Sequence, residues 1–589
     1  MLYSILPQSS KSFSLTAPDL HPILRSLLFQ RGIRTKDDID EFLNPRYENS
    51  AYDPFQFLEM KKAVERLRKA AELNERIIIY GDYDVDGVAS SILMLETLET
   101  LYKKICLPTR QDDKRASVGV YLPHREDEGY GLNPKAVSYI KEHGAALLIT
   151  CDCGSGNKDE LSDLQKAGID VIILDHHVAP LERPPSFAFI NPKFKNERYP
   201  YRDLSAGGVV FKVIQALRKL DYISESFEKW SLDLVALSTV ADMMPLLKEN
   251  RTLVKWGLMV LNKTRRVGMQ ALIRSSRIQK ILTTYDISYA LAPRINSAGR
   301  LDHANVAFDL LRQTNKESAE HEAMNLNQTN EARQKLTEKI LEEAKRQIQE
   351  QYERHDRTLL AYNLNQKTWP MGVLGLVAGK IAKEYYRPVF VIAQTNHGIS
   401  GSGRSIPAFD LTALLDSVRD LLEKYGGHPQ ACGFTLKNMD DPEATIQLFK
   451  SRIEEYGKQY LKESDLLPTI TISSELAFSD ITLEFIEDLE RLEPYGQENT
   501  KPLFLTRNVQ VLSSRTMGKK NNHCKLLVSA HGARHEAVVF CAKDHIKEIT
   551  SGDFCDIIYN LEQNEWNGET RIQLMIRELE RVYLTNTED

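Results

Sequence analysis

Residues Ile77–Ser91 read IIIYGDYDVDGVASS, and the rest of the chain is organised around them. Ile77-Ile78-Ile79-Tyr80 is a short, β-branched apolar run, which predicts a strand buried on both faces of a parallel sheet. Asp82, Asp84 and Asp86 follow at alternate positions. In an extended chain alternate side chains share a face, so the spacing predicts three carboxylates on one side. Such a set repels itself, and a divalent cation is the usual compensation. Gly87 allows a tight turn, and residues 88–97 read as a helix whose N-terminus points at the same place. In an open α/β sheet, ligands bind beyond the carboxyl ends of the strands. An acidic surface turn is the alternative reading of this stretch taken alone.

The pattern repeats downstream. Residues 145–150 form a second apolar run ending at Asp152, and Gly154-Ser155-Gly156 turns into a predicted helix over 158–167. A third run, 171–174, ends in Asp175-His176-His177. Three strands that carry acid or histidine to one edge are poorly explained as packing. An apolar helix over 232–241 ends at Asp242, where a carboxylate is costly unless bound and opposes the helix dipole. The collected candidates are Asp84, Asp86, Asp152, His176 and Asp242, with Asp82 and His177 close by. An oxygen-rich set with one or two imidazoles favours Mn²⁺ or Mg²⁺ over Zn²⁺. Two such ions sharing a bridging carboxylate follow the two-metal logic of phosphoester hydrolysis. A zinc site on Cys151 and Cys153 is the rival. In a strand both thiols face away from Asp152, and two thiolates fall short of a closed site.

The whole chain bounds these readings. Its 589 residues imply three or four domains. No window approaches about 18 uninterrupted apolar residues, and the N-terminus lacks a basic, then apolar, leader. Seven cysteines, odd in number and scattered, fit a reducing cytosol. The net charge is −6, so nucleic-acid binding would need local basic surface. A cytoplasmic enzyme is the expectation.

Elsewhere, residues 20–31, 36–43 and 63–74 show helical patterns, and 103–115 reads as a polar, basic loop. A strand over 117–122 leads to PHREDEGYG, where Arg125 offers a cation near the site, although a solvated turn fits equally well. LAPRINSAGR carries Arg294 and Arg300. A four-residue apolar spacing over 330–352 predicts a long amphipathic connector helix. A second α/β region from about 358 holds WPMGVLGLVAGK and two glycine-rich turns, Gly401-Ser402-Gly403-Arg404-Ser405 and Gly426-Gly427-His428. Small residues admit a phosphate to the backbone, and Arg404 is a bidentate partner for it. From about 470, short strands at 503–504, 509–512, 525–528, 536–540, 556–559 and 573–576 predict a small barrel. Arg515, Lys519, Lys520 and Lys525 form a basic stretch there, with Phe504 and Phe540 as base-stacking platforms. Core aromatics and a solvated hairpin account for these residues equally well.

DYDVDG, the Asp152 strand end, LDHH at 174–177 and the later Asp242 resemble the four motifs of the DHH phosphoesterase superfamily. GSGRS and GGHPQACGF resemble its accompanying DHHA1-type domain, with Cys432 standing where that family commonly has alanine. Together with PHREDEGYG, APRINSAGR and an OB-type barrel, the likeness narrows to the single-stranded-DNA-specific exonucleases of the superfamily. It covers nearly the whole chain apart from the first 50 or so residues, with a local insertion at 108–115.

The resemblance implies an α/β protein with two α/β lobes joined by a long helix, plus a C-terminal barrel. The implied boundaries are an N-terminal helical segment at 1–50, a parallel-sheet DHH lobe at 51–303, a connector at 304–356, a DHHA1 lobe at 357–462 and an OB fold at 463–589. It implies two ions, Mn²⁺ or Mg²⁺, one on Asp82, Asp84 and Asp152, the other on Asp86, Asp152, His176 and Asp242. His177 would contact the scissile phosphate, with Asp175 orienting the histidines. Arg125, Arg294, Arg300, Ser402, Arg404 and His428 would bind substrate. The implied activity is 5′→3′ release of mononucleotides from single-stranded DNA in repair and recombination, by a monomer without membrane association. Single-strand-binding protein and a helicase are the implied partners. Alternatives are a phosphodiesterase of short oligoribonucleotides or cyclic dinucleotides, a polyphosphatase, and a non-catalytic nucleic-acid scaffold. The barrel argues against the small-substrate enzymes, and the retained carboxylates argue against the scaffold.

Overall fold

The apolar run at 77–80 is a strand, Ile77–Tyr80, buried at every residue. The structure, a computed structural model, describes residues 2–10, 13, 15–105, 118–365, 368–395, 398–437, 441–518, 522–540, 546, 548–566 and 569–582. These form two units, residues 52–244 with 253–468, and residues 1–51 with 245–252 and 469–589.

In the first unit, Ile77–Tyr80 sits inside a five-stranded parallel sheet, ordered Val118–Tyr121, Ile77–Tyr80, Leu147–Cys151, Asp170–Leu174, Ala188–Ile190. β-Branched and leucine side chains fill both faces, as two-sided burial requires. Helices Val85–Ile105, Ala206–Lys219 and Glu225–Ala241 pack on one another. The first starts at Val85 rather than at 88. The connector helix is longer than its periodicity predicts, Lys316–Glu353, because Ala319, Ala323 and Leu326 extend the buried stripe toward the N-terminus. It packs on Ala292–Leu301 and on Met371–Tyr385, and so ties the first sheet's lobe to a second. That second lobe has a mixed sheet ordered Leu422–His428, Ala431–Leu436, Gly398–Arg404, Val389–Thr395, Leu359–Asn363.

Both glycine-rich segments predicted as turns are strands instead. Glycine serves close packing here: a Cβ on Gly401 would lie 2.5 Å from the Phe434 ring, and one on Gly403 would lie 2.6 Å from Cys432 Sγ. The basic loop and insertion read at 106–115 lie outside the described residues; 103–105 end the Val85–Ile105 helix.

In the second unit, Phe504–Met517, His523–Ala530, Ala533–Val539, Glu569–Arg581 and Phe554–Trp566 form a closed barrel, since Phe504–Met517 also pairs with Phe554–Trp566. The fragments at 503–504 and 509–512 are one strand, interrupted by a register shift between Thr506 and Val509. Phe504 is fully buried, its ring 6.0 Å from Phe485 and 6.3 Å from Tyr559, so it is core and not a base platform. Phe540 is exposed. Lys519 and Lys520 lie outside the described residues, and Lys525 pairs with Glu536 at 2.8 Å.

The N-terminal segment belongs to this unit. Tyr3–Ile5 pairs in parallel with Ile470–Ile472. Leu24, Leu27, Leu28, Phe42 and Leu43 share one core with Phe478, Phe485 and the barrel interior. Arg251 fastens the assembly, donating to the carbonyls of Phe42, Arg491, Leu492 and Glu493. A truncation at about 465 therefore strips residues 1–51 of their packing partner instead of removing a free-standing module.

Candidate active site

Tyr80, Thr150, Ile173 and Phe189 lie side by side across the parallel sheet. Two residues further on, the four strands deliver Asp82, Asp152, Asp175 and Asn191, all buried. One register thus aligns four polar side chains beyond the carboxyl edge. Asp152 has φ 68°, a left-handed backbone uncommon outside glycine and characteristic of functional sites.

Asp84 and Asp86 do not reach the site by strand alternation. The chain leaves the extended form after Asp82, and Asp84 Oδ1 accepts the N–H groups of Asp86 (2.9 Å) and Gly87 (3.0 Å), capping the helix that starts at Val85. A Cβ on Gly87 would lie 2.5 Å from the Asp82 backbone, so only glycine fits this turn. Asp86 therefore points away from Asp82. Its carboxylate accepts Ala206 N–H at 2.7 Å and Gly207 N–H at 2.9 Å, on the N-terminus of Ala206–Lys219, and the Ser238 hydroxyl.

The acids consequently divide. Asp82, Asp84 and Asp152 converge within 4.8 Å, and so do Asp86, His176 and Asp242. His176 Nε2 stands 3.2 Å from Asp152 Oδ1, 3.4 Å from Asp242 Oδ2 and 3.5 Å from Asp86 Oδ2. Among the described residues this Nε2 makes no hydrogen bond, and buried Asp82 Oδ1, Asp152 Oδ1 and Asp242 Oδ2 have no hydrogen-bond partner either. Orphaned buried oxygens around a bare imidazole nitrogen are costly without a cation. Burial and mutual repulsion push Asp82, Asp152 and Asp242 well above the carboxylate range and Asp86 up to about 6. Burial and neighbouring His177 push His176 down to about 3, which keeps it neutral and able to ligate. These residues fit two oxygen-preferring divalent ions, with Asp152 in reach of both sets. Cys151 and Cys153 are buried, burial raises both thiols, and among the described residues neither joins the converging acid–imidazole groups, so the zinc reading has no ligand set behind it.

His177 is oriented rather than buried in the cluster. Burial would raise Asp175, but the hydrogen bond and charge of His177 hold it well below the usual range. Asp175 Oδ1 accepts the backbone N–H groups of His176 (2.7 Å) and His177 (3.1 Å) and faces His177 Nδ1 at 2.9 Å. An ionised carboxylate only accepts, so Nδ1 carries the proton and Nε2 is left for a ligand. Tyr130 Oη lies 3.0 Å from the same Nδ1 and donates to the Asp152 carbonyl at 3.2 Å. One hydroxyl thus steadies both His177 and Asp152. Removing it in Tyr130→Phe should lower turnover about tenfold with little change in melting temperature, checked by steady-state kinetics and calorimetry.

Tyr130, Asn191, Ser155 and Ser238 are site residues that sequence reasoning missed. Asn191 Nδ2 donates to Ser155 Oγ and to the His177 carbonyl, each at 3.0 Å. The Asn191 signal was available, since it ends a fourth apolar run at the same offset as the aspartates.

Of the predicted substrate-binding residues, Ser402, Arg404 and Arg300 come to the two lobes' facing elements, while Arg294 does not. Arg404 Nη1 donates to Ser402 Oγ (3.0 Å) and the Gly403 carbonyl (2.7 Å). Arg300 Nη1 donates to the Gly372 carbonyl at 2.7 Å, near the N-terminus of helix Met371–Tyr385, which has no side-chain cap. Among the described residues neither arginine has a carboxylate within ion-pair distance. Burial, then the guanidiniums of Arg125, Arg333 and Arg404, push Arg300 down to about 9, with Asp84 opposing. Arg125 lies over the Tyr83 ring at 4.6 Å, in the turn between Asp82 and Asp84. His428 is exposed at the end of Leu422–His428, and partial desolvation, then the charges of His177 and Lys193, lower it. Arg294 is held apart, on Asn327 Oδ1 at 3.0 Å and the Ala290 carbonyl at 2.8 Å.

Among the described residues no helix is long and apolar enough to cross a membrane. Family models match in chain order: the DHH family N-terminal domain at residues 76–239, the DHHA1 domain at 356–456 and the RecJ OB domain at 472–578. The single-stranded-DNA-specific exonuclease RecJ of Bacillus subtilis is 35% identical over 577 residues, covering 97% of this chain and 70% of that protein. RecJ of Dickeya dadantii is 31% identical over 582 residues, covering 95% and 96%. The crystal structure of Thermus thermophilus RecJ in complex with Mn²⁺ superposes with a TM-score of 0.82 at 25% identity, covering 99% of this chain and 80% of that one. With its three matched domains, its near full-length likeness and a carboxylate–imidazole site suited to divalent ions, the chain belongs to the RecJ family of DHH phosphoesterases.

Proposed function

We propose that the protein is a metal-dependent 5′→3′ exonuclease that hydrolyses single-stranded DNA to 5′-mononucleotides, acting in DNA repair and recombination. The observation that carries this reading is the pairing of two features. A self-repelling acid–imidazole cluster stands on one lobe, and Arg300 of that lobe reaches the Gly372 carbonyl of the other, toward Arg404, with neither arginine in an ion pair among the described residues.

Asp82, Asp84 and Asp152 would hold one divalent ion, and Asp86, Asp152, His176 and Asp242 the other. When bound, the pair supplies an activated water and neutralises charge on the leaving oxygen. The protein's own groups do the rest. Asp175 and Tyr130 fix His177 so that Nε2 meets the scissile phosphate. Arg404, with Ser402 and Arg300, grips a terminal 5′-phosphate through planar guanidinium forks. The uncapped N-terminus of Met371–Tyr385 adds its dipole to that pocket. A terminus held at fixed distance from the cluster sets the cut at one nucleotide. Arg125, over Tyr83, sits where the intervening nucleotide would pass.

The test is digestion of single strands labelled at either end, with duplex and oligoribonucleotide controls, in Mn²⁺ and in Mg²⁺. Early release of a 5′-labelled mononucleotide is expected, with little product from duplex. Release of the 3′ label first, or preference for short oligoribonucleotides, would overturn the proposal.

A further inference from the structure

Residues 253–300 carry nine Lys and Arg against one acid, Asp286, in a chain whose net charge is −6. The one acid is turned inward: Asp286 is buried, and its Oδ2 accepts the N–H and hydroxyl of Thr283. Some of the cations are also accounted for. Arg266 is bound to Glu96 and Asp233, Arg274 pairs with Glu320, and Arg300 lies in the phosphate pocket. Lys263, Arg277 and Lys280 remain exposed, and among the described residues only Lys280 of the three approaches a carboxylate, Asp286 at 3.7 Å.

Beside them stand two tyrosines that a folding argument does not explain. Tyr285 and Tyr289 are 64% and 70% exposed, with ring centroids 4.5 Å apart and planes inclined by 33°. Two large rings left in water and held against each other offer faces to further rings. The 277–283 loop is pinned beneath them, since Asn262 accepts Leu282 N–H at 2.8 Å and donates to the Leu282 carbonyl at 3.1 Å. Tyr289 lies in a widened, five-residue π turn, Ile287–Leu291, a departure from regular helix that is frequent at functional sites.

This turn runs directly into helix Ala292–Leu301, whose other end touches the turn at Tyr83–Val85. Asn296 Oδ1 accepts Val85 N–H at 3.2 Å, and Gly299 abuts the Tyr83 carbonyl. From Tyr289 to Asn296 the helix spans about 10 Å, the rise of roughly three stacked nucleotides.

We propose that this face is a second single-strand-binding surface, on which bases of the strand beyond the cleavage site stack on Tyr285 and Tyr289 while its phosphates meet Lys263, Arg277 and Lys280. The inference rests on the reading that the neighbouring site cleaves a DNA strand. Stacking on exposed aromatics with flanking cations is the sequence-tolerant mode by which unpaired strands are held. The surface matters only for substrates long enough to reach it.

The test uses the full-length protein and two 5′-phosphorylated substrates, a dinucleotide and a 30-nucleotide strand. In Tyr285→Ala/Tyr289→Ala, KM for the long strand should rise about tenfold, while kcat/KM for the dinucleotide stays within about twofold. Tyr285→Phe/Tyr289→Phe, which keeps the rings, should restore the wild-type KM. In Lys263→Gln/Arg277→Gln/Lys280→Gln, the dependence of log K on log salt should become shallower by about 2. Equal losses on both substrates would overturn the surface and point to strain passed to the Tyr83–Val85 turn. Binding of a fluorescein-labelled strand by the metal-free protein separates the two readings. Weaker binding by the variants, with no cleavage by the wild type, keeps the surface and sinks the nuclease. Cleavage with unchanged binding sinks the surface. An acidic polypeptide captured by the wild type but not by the variants, with strand binding intact, would make the face a protein dock and overturn the proposal.

Discussion

Asp152→Asn lowers hydrolysis by about a thousandfold or more, the expected cost of several kcal/mol of charge stabilisation lost from both ion sites. Asparagine tolerates the left-handed backbone at φ 68°, so the variant keeps the turn that alanine would strain. Its stability should change in the opposite sense to its activity. Burial and the charges of Asp86, Asp84, Asp82 and Asp242 raise the Asp152 carboxyl well above its ordinary range. A carboxyl whose folded-state value is raised costs stability at every pH above its unfolded value, so removing it relieves that cost at neutral pH. The metal-free variant should therefore melt no lower than the metal-free wild type. Mn²⁺ at about a hundredfold over its Kd should stabilise the wild type by about 2.7 kcal/mol and the variant by much less. Calorimetry with and without Mn²⁺ reads both quantities. Near wild-type turnover at saturating Mn²⁺ would sink the assignment of Asp152 as the shared ligand.

The second large effect concerns the strand terminus. Arg404→Ala should reduce kcat/KM for 5′-phosphorylated strands by about 10- to 100-fold, the worth of a charge-assisted hydrogen-bond pair to a dianion. On 5′-hydroxyl strands the same variant should lose much less, because the lost partner is the terminal phosphate. Arg404→Lys should recover little, since a point charge does not reproduce a fork already anchored on Ser402 and the Gly403 carbonyl. Competition between the two substrates in one reaction measures the ratio directly. An equal loss on both would mean that Arg404 supports the lobe and does not read the end.

What could be read from the chain depended on whether the deciding interaction was local. The ends of three strands were legible because a β-branched apolar run fixes where a buried strand stops, and Asp82, Asp152 and Asp175 fall at one offset from it. Asp84 and Asp86 reach the site by another route than their spacing suggests. Alternation governs side-chain direction only while the chain is extended, and the capping of Val85–Ile105 by Asp84 ends that regime. GSGRS reads as a turn because glycine is the residue turns use. Its glycines instead make room for Phe434 and Cys432, partners some 30 residues away that no local pattern announces. Tyr130, Ser238 and the pairing of Tyr3–Ile5 with Ile470–Ile472 are invisible for the same reason.

That last pairing bears on how the protein is made. Gln30 Nε2 donates to the Ser473 carbonyl, 443 residues away, and the core around Leu24 and Phe42 closes only against Phe478 and Phe485. At about 5–20 residues per second, a ribosome exposes the N-terminal helices roughly 20–90 s before their partners emerge. The intervening catalytic and phosphate-binding lobes are made during that interval and, at its end, have all of their own sequence and are free to fold. The apolar faces of residues 22–43 are meanwhile the last hydrophobic surface awaiting a mate, and the first the nascent chain offers to a chaperone.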